Sequence, residues 1–261
     1  MNRLTLSALA LTLFTAAQAQ TAIQSAFDAT RTSSNSIYLV LRGTDDRNGG
    51  SRFRAELCFT ENTTLKAYIN EYRGPISMSD ASLPLKRTIV ADGTLVWNYD
   101  PARNEYSTRQ YGRYDGSIPT NYRRDFFRNL SAEASAEGAP AARLLNEIYG
   151  GTAARSLPWM PSTTAPAELF SNTNDDITGV TYTPVPGERF FYVFSSNSDR
   201  SVCYHLSNTG VVDVLTDLFA NERFGSAVRR YRINVQLNPT VQPTWFDYTP
   251  PVGSRARIGG N

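Results

Sequence analysis

In the segment RFRAELCFT, Phe53, Ala55, Leu57 and Phe59 alternate with Arg54, Glu56, Cys58 and Thr60. A period of two sends the two sets to opposite faces of an extended strand. The neighbouring run SIYLVLRG is rich in β-branched and aromatic residues, and TLKAYINEYRG alternates in the same way up to Gly74-Pro75. Turn residues separate these runs: Asp45-Asp46-Arg47-Asn48-Gly49-Gly50, then Glu61-Asn62. Asp92-Gly93 is the strongest short hairpin signal in the chain and joins LKRTIVA to TLVWNYD, which must then pair antiparallel. Asp100-Pro101 ends the second of these strands, since proline cannot donate to a ladder. With NEYSTRQYG as the next strand, about six strands precede residue 113.

Two stretches change the period. TAIQSAFDATRT sets Ile23, Ala26, Phe27 and Thr30 at helical spacing and predicts a short amphipathic helix ending by Thr32–Ser36. Farther on, Ala142, Leu145, Ile148 and Tyr149 fall at helical offsets before Gly150-Gly151, which predicts a helix over Ala139–Tyr149. YRRDFFR, before it, reads as the start of an amphipathic helix rather than a nucleic-acid patch. SLPWMPSTTAPAELF is irregular, with an apolar tip at Trp159 and Met160 and one short helix over Ala165–Phe170. Beyond Asn174 the extended pattern returns in ITGVTYTPV, RFFYVFSSN, SVCYHLSN, GVVDVLTDLF, SAVRRYRINVQLN and PTWFDYTPP. The predicted class is mainly β with α: one antiparallel sheet of about eleven or twelve strands, preceded by a helix and interrupted by a helical insertion.

The first residues add a compartment. MNRLTLSALALTLFTAAQAQ has one basic residue, Arg3, an apolar run to about Ala17, and the small residues Ala17-Gln18-Ala19. This reads as a cleaved secretory signal over residues 1–19, with a single domain over 20–261 and a periplasmic or secreted location. The apolar run is shorter than the roughly 20 residues of a spanning helix. No cysteine follows the cleavage site to carry a lipid anchor. The formal charge is +2, so there is no broad field to hold nucleic acid or an anionic membrane. Cys58 and Cys203 are the only cysteines, and an oxidising compartment allows either a disulfide between them or two buried thiols.

Catalytic patterns are missing. His205 is the only histidine, and no G-x-S-x-G elbow, zinc spacing or phosphate-cradling glycine loop occurs, so neither an enzyme nor a cofactor is expected. Strand acids such as Glu56, Glu71, Asp213 and Asp217 could pair across a cleft, but a solvated sheet face accounts for them more simply. Asn172–Asp176 lacks the spacing of a calcium loop.

What remains is apolar surface. If the sheet curls, its concave face encloses Phe53, Leu57, Phe59, Leu95, Trp97 and Tyr99, with the helices as a plug; the same residues could equally build a filled core. Asp92-Gly93, Trp97, Tyr99-Asp100-Pro101, and then Asn238, Phe246, Pro250-Pro251 and Gly253 resemble the "DG–W–YDP" and closing "N…F…PP-G" signatures of the LolA/LolB-like periplasmic lipoprotein carrier superfamily. That superfamily also includes LppX-type lipid-binding and sigma-factor-regulating sensor proteins. The resemblance implies an unclosed half-barrel with a helical lid, working as a monomer and holding acyl chains or a lipidated protein in an apolar cavity. Phe53, Leu57, Phe59, Leu95, Trp97, Tyr99, Trp159 and Met160 would line that cavity or its lid. The alternative is an envelope regulatory or scaffold module with a filled core that contacts a protein partner.

Overall fold

The computed structural model describes residues 16–46, 50–62, 64–110, 120–135, 137–149, 179–182, 189–195, 200–206, 212–221 and 226–257, with the strands between 179 and 230 described by their backbone. Helix α1 spans Ala16–Ser33. A first meander follows: β1 (Ser36–Asp45), β2 (Ser51–Glu61), β3 (Leu65–Pro75), β4 (Leu85–Ala91), β5 (Leu95–Asp100) and β6 (Glu105–Gln110). Helices α2 (Thr120–Glu133) and α3 (Ala139–Tyr149) come next. The second meander is β7 (Gly179–Tyr182), β8 (Arg189–Ser195), β9 (Arg200–Leu206), β10 (Val212–Asn221) and β11 (Ser226–Leu237), and β12 (Arg255–Ala256) closes the chain order.

All twelve strands form one sheet, in the order β12-β6-β5-β4-β3-β2-β1-β11-β10-β9-β8-β7. The two meanders meet where β1 pairs antiparallel with β11, Ile37 opposite Leu237 and Asp45 opposite Arg229. The β12–β6 pair is parallel and only two residues long. β7 and β12 are the two edges, so the sheet is an unclosed half-barrel. Helix α1 reaches from α3 to β10 and β7, while α3 lies on β1 and β2.

Register decides what each face carries. Leu39, Leu57, Ile69 and Ile89 stand opposite one another across β1 to β4, all fully buried. They belong to the core beneath the helices, with Phe27, Phe126, Phe127, Leu145, Ile148 and Tyr149. One position along, Tyr38, Cys58, Tyr68, Val90 and Trp97 form the corresponding row on the outer face. A C-terminal strap covers that row with Val241, Trp245, Phe246 and Tyr248.

The run PTWFDYTPP, expected as a strand, is a single 3-10 turn at Pro243–Phe246 followed by irregular chain. Pro243, Pro250 and Pro251 supply no ladder N–H, and the segment serves as a cover rather than a sheet member. Asn238 starts it with φ +46 and is tied back through Nδ2 to the Ser33 carbonyl at 2.9 Å. At its far end the Arg255 N–H donates to the Asn104 carbonyl at 2.9 Å.

The hairpin at Asp92-Gly93 forms as expected. Gly93 has φ +108, and a Cβ there would meet Thr64 Oγ1 at 2.9 Å. Asp92 Oδ1 accepts the N–H groups of Thr94 and Leu95, each at 2.8 Å, which is the local bonding that makes aspartate a turn former.

Candidate functional site

On the inner face, Phe53 is 2 % exposed and Leu57 and Phe59 are fully buried. Phe59 is enclosed by helix aromatics: Tyr149 at 4.8 Å between ring centroids, Phe127 at 5.2 Å and Phe126 at 6.2 Å, all tilted. Tilted pairs at these separations are favourable arrangements of aromatic quadrupoles. Tyr149 also shares a 2.6 Å hydrogen bond with Ser34 at the end of α1, which ties α3 to α1. Burial pushes its hydroxyl up to about 12. The apolar surface expected to face a hollow is therefore filled, along β1 to β4, by the chain's own helices.

The joint between α2 and α3 is held to the sheet by charge. Glu71 on β3 is fully buried and accepts the Ser135 N–H at 2.7 Å. Burial raises its pKa, against the opposing pull of the Ser135 bonds and Arg87. Glu137 is 1 % exposed and takes Arg73 Nη1 at 2.6 Å and Lys86 Nζ at 2.8 Å, with the Ser135 hydroxyl as a further donor. Burial alone would raise its pKa, but the Lys86 and Ser135 bonds, the Lys86 charge and the Arg73 bond outweigh that and hold it at about 2. Glu133, at the end of α2, accepts Asn98 Nδ2 at 2.7 Å and faces Arg109 at 3.4 Å. Gly138 has no room for a side chain, because a Cβ would run into Glu71 Oε1. The helix pair is thus a greasy cover clamped at one corner by buried carboxylates.

Leu95, Trp97 and Tyr99 are not part of this arrangement. They lie on the outer face, with Trp97 opposite Val90 and Thr108. The Trp97 ring packs on Tyr106 and Tyr248, each at 5.9 Å, and its Nε1 donates to Asp92 Oδ2 at 3.0 Å. Tyr99 lies 6.4 Å from Tyr248 and donates its hydroxyl to Asn104 at 3.0 Å. The expectation that these three share a concave lining with Phe53, Leu57 and Phe59 is corrected by register: residues one apart face opposite ways. Trp159 and Met160 lie outside the described residues.

Of the two alternatives open for the cysteines, the structure holds a free thiol. Cys58 is a buried free thiol on β2, pushed up to about 12 by burial. Cys203 stands on β9, with β1, β11 and β10 between the two strands. At about 4.8 Å per strand that separation far exceeds the roughly 7 Å Cα limit of a disulfide.

Sequence reasoning noticed Glu71 as a strand acid but assigned it to a solvated face. Only the neighbouring alternation, Ala67, Ile69, Glu71 and Arg73 on one side, signalled that it points inward. Glu137 carried no pattern at all. Among the described residues no cluster of metal-ligating side chains occurs, and no helix is long and apolar enough to cross a membrane.

No family model and no curated protein matches this chain. Solved structures similar to it include an uncharacterized conserved protein from Thermus thermophilus, at 9% identity and TM-score 0.42, covering 90% of this chain and 99% of that one. A LolA superfamily protein from Nitrosomonas europaea stands among them, at 8% identity and TM-score 0.30, covering 89% and 97%. So does MucB in the Pseudomonas aeruginosa MucA/MucB complex, at 11% identity and TM-score 0.41, where the match covers 89% of this chain and 61% of that one. Likenesses this distant carry no argument about function, which has to come from the chain's own residues.

Proposed function

We propose that this chain is a non-enzymatic binding module of the bacterial envelope that takes the hydrophobic part of a lipid or lipidated ligand beneath the α2–α3 cover. The observation that carries this reading is the contrast within the cover. Its underside is apolar and aromatic, against Leu57 and Phe59, whereas its joint is fastened by ionic bonds to Arg73 and Lys86. A cover held this way can lift without breaking the sheet.

Uptake then exchanges Phe126, Phe127 and Tyr149 for ligand. Exposing three buried aromatic side chains costs roughly 5–9 kcal/mol, and an acyl chain of about twelve methylenes returns about 10 kcal/mol. The exchange is close to balanced, which suits a module that must also release.

The filled inner face favours a second reading, in which the core stays packed and the module contacts a protein partner. Titration with a fluorescent fatty acid, alongside native mass spectrometry of freshly purified protein, separates the two. The carrier or sensor reading expects co-purified acyl material or saturable uptake, tighter in an Arg73→Ala/Lys86→Ala variant with its clamp released. Repeated emptiness and no uptake by either form would leave only the filled-core module.

A further inference from the structure

The outer face carries a second polar feature that the α2–α3 cover does not involve. Arg232, Arg42 and Arg54 stand directly opposite one another on β11, β1 and β2. Arg52, two residues before Arg54 on β2, completes a patch of four guanidinium groups on that face. Like charges placed directly across strands repel, so such a row persists only where something opposes it.

The opposition in the chain itself is partial. Asp80, in the 3-10 turn Asp80–Ser82 between β3 and β4, lies over the patch. Its carboxylate is 3.5 Å from both Arg42 and Arg52, longer than the roughly 2.7–2.9 Å of a close charge-assisted bond. Arg54 is better served, with its guanidinium 4.2 Å over the Tyr72 ring, Glu56 at 3.4 Å and the Asp80 carbonyl at 3.1 Å. Among the described residues, Arg232 Nε donates to the neutral Asn234 amide, at 3.1 Å. The Nε atoms of both Arg52 and Arg54 are buried without a hydrogen-bond partner.

A shallow surface hollow of about 310 Å³, wide open to solvent, lies among these groups, lined by Arg42, Gly43, Thr44, Arg52, Asp80, Tyr231 and Arg232. Three arginines and one aspartate leave +2 in this lining, equal to the formal charge of the whole chain. We propose that the hollow binds an organic phosphate through Arg42, Arg52 and Arg232. A single carboxylate is already supplied by Asp80 and leaves the charge unbalanced. A phosphate monoester brings about −1.5 to −2 at neutral pH and three acceptor oxygens, matching the excess charge and the number of guanidinium forks. The volume of the hollow is at the lower end of the roughly 300–1,000 Å³ of small-molecule sites, which leaves room for the alcohol the phosphate is attached to. Asp80 acts as the resident counter-ion that the incoming phosphate pushes aside.

The test is calorimetric titration of the full chain with glycerol phosphate at low salt, with chloride and acetate as controls. A parallel arm measures co-sedimentation with phosphatidylcholine vesicles with and without phosphatidic acid. Arg42→Gln or Arg52→Gln is expected to weaken binding by about ten- to hundred-fold, the size of a lost charge-assisted bond. Asp80→Asn, a substitution at a partly exposed turn that leaves the core untouched, is expected to tighten it several-fold. Binding to glycerol phosphate alone identifies a soluble ester, and binding to phosphatidic acid vesicles alone identifies a lipid headgroup; either supports the site. The proposal is overturned if neither arm binds, if acetate binds as well as phosphate, or if Asp80→Asn weakens binding. The readout is independent of acyl uptake, so failure here leaves the proposed function standing, and the reverse also holds.

Discussion

Glu71 and Glu137 sit within reach of the same serine and are pulled in opposite directions by their surroundings. Glu137 is held at about 2, below its usual value, so the stability it contributes is present above about pH 4.5 and is lost as the pH falls toward 2. Glu71 is raised, so it favours the folded state more as the pH falls through its folded value toward the ordinary carboxylate range. Urea denaturation of Glu137→Gln at pH 7 is expected to show a loss of about 1–3 kcal/mol, less than a fully buried pair because Arg73 and Lys86 are partly exposed. Glu71→Gln keeps an acceptor for the Ser135 N–H while removing a buried charge. It should retain or raise stability at pH 7 and flatten the gain that the wild type shows on mild acidification. Cys58 supplies a third check at this scale: mass measurement without reductant should find no Cys58–Cys203 bond, and thiol labelling of Cys58 should proceed only as fast as the protein opens.

At the scale of elements, the strap and the helix cover serve opposite faces of the same strands. Removing residues 238–261 would uncover Tyr68, Val90 and Trp97, at about 25 cal/mol per Å² of apolar surface returned to water. The shortened chain should show red-shifted tryptophan emission and a lower melting temperature, while the row Leu39, Leu57, Ile69 and Ile89 beneath the helices keeps its packing. Phe59→Ala tests the other face. It removes the ring that Phe126, Phe127 and Tyr149 enclose and should cost about 3–5 kcal/mol in denaturant titration. Much of this was readable beforehand. Period two put Phe53, Leu57 and Phe59 on one side, and the 3.6-residue spacing located α3 at Ala139–Tyr149. The strap was misread because TWFDY has the aromatic content of a strand, whereas its prolines bar it from a ladder.

For the whole molecule, the near-neutral formal charge was a poor guide to local chemistry. Arg42, Arg52 and Arg54 come from one hairpin, but Arg232 lies far along the sequence, and only the pairing of β1 with β11 brings it to them. The proposed signal is testable at this scale too. Among the described side chains of α1, the buried ones, Ala26, Phe27 and Thr30, lie beyond Ala19. A chain beginning at Gln20 should therefore fold with an unchanged melting temperature.

The local periods, the Asp92-Gly93 turn and the helix spacings were determined by the sequence alone, because they follow from short-range sterics and from which neighbouring side chains are apolar. Which face of β5 shares a side with which face of β2 was decided only by the tertiary structure. Each hairpin fixes a register, a shift of one residue reverses every side chain, and the three successive pairings from β2 to β5 placed Trp97 beneath the strap and Phe59 beneath the helices.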